Sequence, residues 1–132
     1  MIAFDGALVT EMTEHARREF PNEACGIVAG AAGRPVKVFP MRNADRSPSR
    51  YRLDPREQLA VFDELDREGW DLLAIFHSHP TSAAYPSETD RRLAHYPQAL
   101  HVLVSLVDPT APEVRAFRIA DDAVVEEEVE VA

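Results

Sequence analysis

The run Asp71-Leu72-Leu73-Ala74-Ile75-Phe76-His77-Ser78-His79-Pro80 decides how the rest of this chain is read. Residues 72–76 are continuously apolar yet too few for a buried helix, so 71–79 reads as a central strand covered on both faces. Side chains two apart on a strand share a face, which projects His77 and His79 together and turns Ser78 the other way. Two imidazoles so placed can share one ion. An H-x-H pair alone is weak evidence, because it arises often by chance and strand histidines are commonly structural. Ser87-Glu88-Thr89-Asp90, a short way downstream, sharpens it. Asp90 would complete two imidazoles and one oxygen and leave a fourth tetrahedral position open to water, the arrangement of catalytic zinc sites. The same S-x-x-D spacing is also a capping box that only starts a helix, and both readings hold together if the cap aims Asp90.

Upstream of this run, residues 10–20 place Met12, Ala16 and Phe20 at helical spacing, with Thr10 as N-cap and Pro21-Asn22 as the stop. Residues 24–29 and 35–40 read as two strands joined by a glycine-bearing turn, most simply a hairpin. Residues 43–51 are polar, contain Pro48 and show no period, the mark of a loop. Asp54-Pro55-Arg56-Glu57 opens a second helix with an N-cap, a proline at the first helical position and a glutamate placed to close a capping box. Val61, Leu59, Phe62 and Leu65 supply its apolar stripe and Gly69 ends it. Downstream, 87–95 reads as a third helix, 100–107 as another interior strand, and 114–119 and 124–131 as closing strands. The expected fold class is α/β, with a single mixed β-sheet and helices on its faces, in one domain over 1–132.

Composition narrows the function. With 45% apolar and 28% charged residues the chain has the make-up of a soluble protein, and no apolar run nears the roughly 20 residues a membrane span needs. A formal charge of −9 argues against nucleic acid as a partner, since phosphate binding rests on Lys and Arg. The acid gathers in Asp121-Asp122 and Glu126-Glu127-Glu128, whereas Arg42, Arg46, Arg50, Arg52 and Arg56 make the stretch before the second helix locally basic. That stretch reads first as a solvated surface and second as a basic patch beside the site for an acidic partner. The start of the chain lacks the pattern of a secretory signal, so the cytoplasm is the expected location. Cys25 is the sole cysteine and makes no internal disulfide.

Water activated at a metal still needs a group to take its proton and return it to a leaving amine. Glu23 is the candidate, because a charged residue at the start of the apolar run 24–29 has little structural reason to be there. Glu23 with Ala-Cys-Gly-Ile-Val-Ala-Gly after it, His77-Ser78-His79-Pro80 and Pro86-Ser87-Glu88-Thr89-Asp90 together resemble the JAMM motif of MPN+ metallopeptidases. The resemblance implies a mixed sheet related to the cytidine deaminase fold and zinc-dependent cleavage of ubiquitin-like protein conjugates. It implies His77, His79 and Asp90 as Zn2+ ligands, Glu23 as general acid/base, and Ser87 as the donor to the tetrahedral intermediate. Residues 43–48 and 51–54 and the compact length are similar to small bacterial members of the family. For that branch the implied partner is a β-grasp sulfur-carrier protein, and the implied reaction removes cysteine from its carboxyl terminus in cysteine biosynthesis. Pro80 is shared with another branch of the superfamily, the RadC-like proteins, which usually have asparagine where Ser78 stands.

Three alternatives stay open at this point. The same fold also serves as a metal-free protein-binding module, and the peptidase could act as an isopeptidase on another ubiquitin-like modifier. Cys25, two residues after Glu23, could be a metal contact, a redox brake or a nucleophile with a histidine base, against the plainer role of a small buried apolar group. His15, His95 and His101 have no partner at ligand spacing and read as surface or satisfied core histidines. Trp70 reads as a packing anchor.

Overall fold

A computed structural model describes residues 1–121 and 123–132; Asp122, one of the acidic residues named above, lies outside them. The chain runs β1 (Ile2–Phe4), α1 (Gly6–Glu19), β2 (Cys25–Ala31), β3 (Arg34–Met41), α2 (Pro55–Glu68), β4 (Asp71–His79), α3 (Glu88–Arg92), β5 (Leu100–Ser105), β6 (Glu113–Ala120), β7 (Ala123–Glu127) and β8 (Val129–Val131). Six of these strands form a mixed sheet in the order β3-β2-β4-β5-β6-β7. β4 and β5 lie parallel, and the other neighbours in this sheet are antiparallel. A parallel pair needs a crossover long enough to carry the chain back, and α3 with its flanking loops supplies it. The site residues after β4 therefore stay over the end of that strand.

β4 has the bounds expected of it, and its last six residues are buried. Phe76 and Ala74 face α1, packing with Met12, Ala16, Val28, Val102 and Val104. Ile75 faces α2, packing with Cys25, Ile27, Val61 and Leu65. A Cβ at Gly26 would run into the Phe39 carbonyl and the Phe76 ring, so only glycine lets β2 lie this close to its neighbours. The β2–β3 hairpin turns on Ala32 and Gly33, both at positive φ (53° and 76°), the two-residue geometry that matches strand twist.

Several expectations need correction. α1 begins at Gly6 rather than after Thr10, because Asp5 caps it by accepting from Ala7 N–H (3.2 Å) and Leu8 and Val9 pack on the core. Asp54 caps α2 through the N–H groups of Arg56 and Glu57. Glu57 does not close the box; its carboxylate accepts from Arg42 N–H at 2.6 Å and so ties the helix to the end of β3. Leu59 stands 65% exposed, about 200° round the axis from the buried Val61, and is no part of the stripe. α3 stops at Arg92, with Leu93 as its C-cap and 53% exposed, and the residues after it, Ala94 and Tyr96 among them, pack on the core without continuing the helix. The last strand divides at Glu128: β7 pairs with β6, while β8 crosses to pair in parallel with β1, an element the sequence reading did not include.

No helix among the described residues is long and apolar enough to cross a membrane.

Candidate metal centre

Strand parity and the helix cap bring three donor atoms to one point. His77 Nε2, His79 Nε2 and Asp90 Oδ2 form a triangle with sides of 3.2, 3.1 and 3.0 Å, all three side chains buried. Three Lewis bases this close repel one another unless a positive centre, a proton or a metal ion, sits among them. A tetrahedral ion with bonds of about 2.0–2.1 Å spaces its ligands about 3.3 Å apart, so the triangle has the size of one face of such a site. The donor set therefore fits a divalent metal ion, and this trio is a group of the kind that holds one.

Each of these three side chains is aimed by something behind it. His79 Nδ1–H donates to the Ala83 carbonyl (2.8 Å), which leaves the Nε2 lone pair turned inward. His77 is oriented by stacking: the Tyr51 ring lies 4.5 Å away at 23°. Asp90 takes part in the reciprocal box with Ser87, whose Oγ accepts from Asp90 N–H (3.0 Å) and whose N–H donates to Asp90 Oδ2 (2.9 Å). The cap of S-x-x-D is thus present, and the oxygen that takes part in it is the one that faces the two imidazoles. Burial alone would raise the Asp90 carboxyl; hydrogen bonding with His77 and His79 outweighs it and holds the group well below the usual carboxylate range. Burial pushes the His77 imidazolium down, favouring the neutral ring a metal needs.

Glu23 is buried just before β2, with Oε1 unpartnered. Burial, reinforced by the charge of Asp90, pushes its carboxyl up to about 8. Its backbone is clamped by the 43–53 loop: Glu23 N–H donates to the Ser47 carbonyl (2.8 Å), and Asn43 Nδ2 donates to the Glu23 carbonyl (3.1 Å). Asn43 also donates to the Arg50 carbonyl and accepts from the N–H groups of Asp45 and Arg52. One buried amide thus orders the loop and seats the carboxylate.

The structure brings Glu23, Ser87, His77, His79 and Asp90 to one end of the sheet. Asn43, Tyr51 and His101 were missed as members of the site. Of these only Asn43, polar and directly after an apolar strand, carries a local signal. His101 is buried with Nε2 unpartnered rather than satisfied, and it lines a cavity of about 350 Å³ together with Tyr51 and Asp90. His15 is a satisfied core histidine, its Nε2 near the carbonyls of Cys25 and Met41, and His95 is exposed. Cys25 packs in the apolar cluster under α2, and burial pushes its thiol up to about 12, so the plain reading holds and a thiolate there is disfavoured. Trp70 packs on that same cluster.

Comparison with known proteins agrees with this geometry. The family described as prokaryotic homologs of the JAB domain matches residues 6–120. The chain is 50% identical over 126 residues to the CysO-cysteine peptidase of Mycobacterium tuberculosis (strain ATCC 25618 / H37Rv), covering 94% of this chain and 86% of that one. It is 31% identical over 102 residues to the desampylase of Haloferax volcanii, covering 75% and 73%. The solution structure of protein DSY2949 from Desulfitobacterium hafniense superposes with a TM-score of 0.90 at 39% identity, covering 100% of this chain and 93% of that chain. The mixed sheet with flanking helices is the fold of JAMM/MPN proteins. With the matched span taking in Glu23, both histidines and Asp90, the chain belongs to the prokaryotic JAB family.

Proposed function

We propose that this chain is a cytoplasmic, zinc-dependent peptidase that hydrolyses the amide joining a cysteine to the carboxyl terminus of a β-grasp sulfur-carrier protein. The observation that carries the reading is the convergence of two imidazoles and a carboxylate at one point, with a buried carboxyl beside them. The half-identity to a CysO-cysteine peptidase supports the substrate class.

His77, His79 and Asp90 are the residues that would hold zinc. A bound zinc ion supplies Lewis acidity, bringing the pKa of water from 15.7 to about 7. Glu23 takes the proton of the attacking water and returns it to the departing amine. Burial raises this carboxyl toward neutral pH, which makes it a better proton acceptor than an exposed glutamate and still able to give the proton back. The Ser87 hydroxyl accepts in the cap, so its own hydrogen is free to donate to the substrate carbonyl oxygen as negative charge builds there. Tyr51 and Asn43 hold the first histidine and the glutamate in place while this happens.

The test is a carrier bearing a C-terminal cysteine, incubated with zinc-loaded protein and weighed by intact mass spectrometry. The carrier should lose one cysteine residue, a chelator should stop the loss, and Cys25→Ala should not. An unchanged carrier mass with metal bound would discard this substrate. The likeness to a desampylase favours a second reading, isopeptide cleavage of another ubiquitin-like modifier, which the same assay on a lysine-linked conjugate detects.

A further inference from the structure

The cavity beside the metal centre has walls of Leu53, Ile75, Leu93 and Tyr96, with His101 among its lining. Asp90 and Tyr51, the latter stacked on His77, connect it to the site. At about 350 Å³ it is at the small end of ligand pockets. The unpartnered Nε2 of His101, buried at 3% exposure, marks it as a place where a ligand supplies hydrogen bonds rather than a gap in packing.

Arg50 and Arg52 also line this cavity. Both lean on one carboxylate, Asp45, and both do so through Nε, at 3.6 and 3.3 Å. That contact leaves the terminal amines of the two guanidiniums without a partner among the described residues. Two positive charges against one negative leave a surplus of one in a chain whose net charge is −9. A pair of guanidinium forks with free ends is the group that recognises a carboxylate by two parallel hydrogen bonds.

We infer that Arg50 and Arg52 bind the free α-carboxylate of the residue being released, so that the cavity admits a chain end and discriminates against a chain that continues. The inference rests on the peptidase reading above and gives that site its selectivity. An enzyme that removes one terminal amino acid must tell a carboxylate from the next peptide bond. These arginines, half-exposed and lining the same cavity as Asp90 and Tyr51, are placed to do so. Hydrolysis then leaves the carrier with its own new carboxylate and frees an amino acid whose carboxylate stays against the arginines until it departs.

The experiment compares two carrier adducts, one ending in cysteine with a free carboxylate and one ending in cysteine carboxamide, by kcat/KM with zinc-loaded enzyme. Wild type should prefer the acid by about 10- to 100-fold, the range of a charged hydrogen bond at a half-exposed rim. The preference should shrink as salt is raised. The Arg50→Gln/Arg52→Gln double variant should bring the ratio of acid to amide near one, while Arg50→Lys/Arg52→Lys, which keeps charge without the fork, should fall between. Equal cleavage of acid and amide by wild type overturns the inference, as does a preference that survives in the glutamine double variant. Both outcomes leave the peptidase reading standing. Cleavage of neither adduct overturns that reading and this one with it.

Discussion

The two faces of the central sheet are built for different ends, although both are made from the same strands. Under α1 the face is sealed: Phe4, Met12, Ala16, Phe76, Val102 and Val104 are all buried and apolar. Under α2 it is divided. One half is core, with Cys25, Ile27, Val61, Leu65 and Ile75; beyond the start of α2 the same face carries His77, His79, Asp90, Tyr51 and His101. β4 shows the division within four residues, for Phe76 and Ser78 point to the first face and His77 and His79 to the second. Ser78 serves the support side. Its Oγ accepts from Ala24 N–H (2.7 Å) and its N–H donates to the Ala24 carbonyl (3.0 Å), which ties the ligand strand to the residue after Glu23. The comparison teaches that chemistry sits where the covering helix stops, and that the opposite face pays for its precision with packing.

Substitutions on the two faces should therefore fail differently. On the open side, Glu23→Gln removes the proposed proton carrier and keeps the shape. Turnover should fall by about 10²- to 10⁴-fold while zinc content by elemental analysis stays at the wild-type value. A variant that lost its metal together with activity would show Glu23 to be part of the scaffold. On the sealed side, Phe76→Ala removes a fully buried ring and should cost about 3–5 kcal/mol in urea unfolding. Its turnover per folded molecule should change far less than that of Glu23→Gln. Equal catalytic loss from both would erase the distinction between the faces.

The parts of this arrangement that are local in sequence were legible in it. The parity of H-x-H and the cap spacing of S-x-x-D each lie within a few residues, so strand and helix geometry alone place them. α2 was legible from Asp54, Pro55 and Gly69, all of which do what their types suggest. Glu23 stood out as a charge at the mouth of an apolar strand, but its burial and its clamp by Asn43 and Ser47 depend on a loop twenty residues away. Tyr51 and His101 carry no signal, because a stacked ring and an unpaired nitrogen are products of tertiary contact. β1 and β8 join distant ends of the chain through three residues each, too short a pattern to read. α1 starts at Gly6, a poor helix residue, because Asp5 caps it and Leu8 and Val9 pack on the core, a tertiary contact that outweighs that preference.

His101 sharpens the contrast from inside the divided face, with the smallest effect. Burial, chiefly, holds its imidazolium down to about 4, against an ordinary value of 6.5. The neutral ring is thus the form the fold accepts. Its stabilising balance is complete above pH 6.5 and is lost as pH falls from there toward 4, since the unfolded chain takes up the proton first. His101→Leu has no proton to bind. On protein stripped of metal, so that protons do not compete for ligands, the variant should gain on wild type by at most about 3 kcal/mol between pH 7 and pH 4, read from urea midpoints. His15, on the sealed side, differs in having its Nε2 3.1 and 3.0 Å from two carbonyl oxygens. A variant curve parallel to wild type across that range would mean that His101 finds a partner when charged, and then the cavity is wetter, and less selective for a neutral contact, than its walls imply.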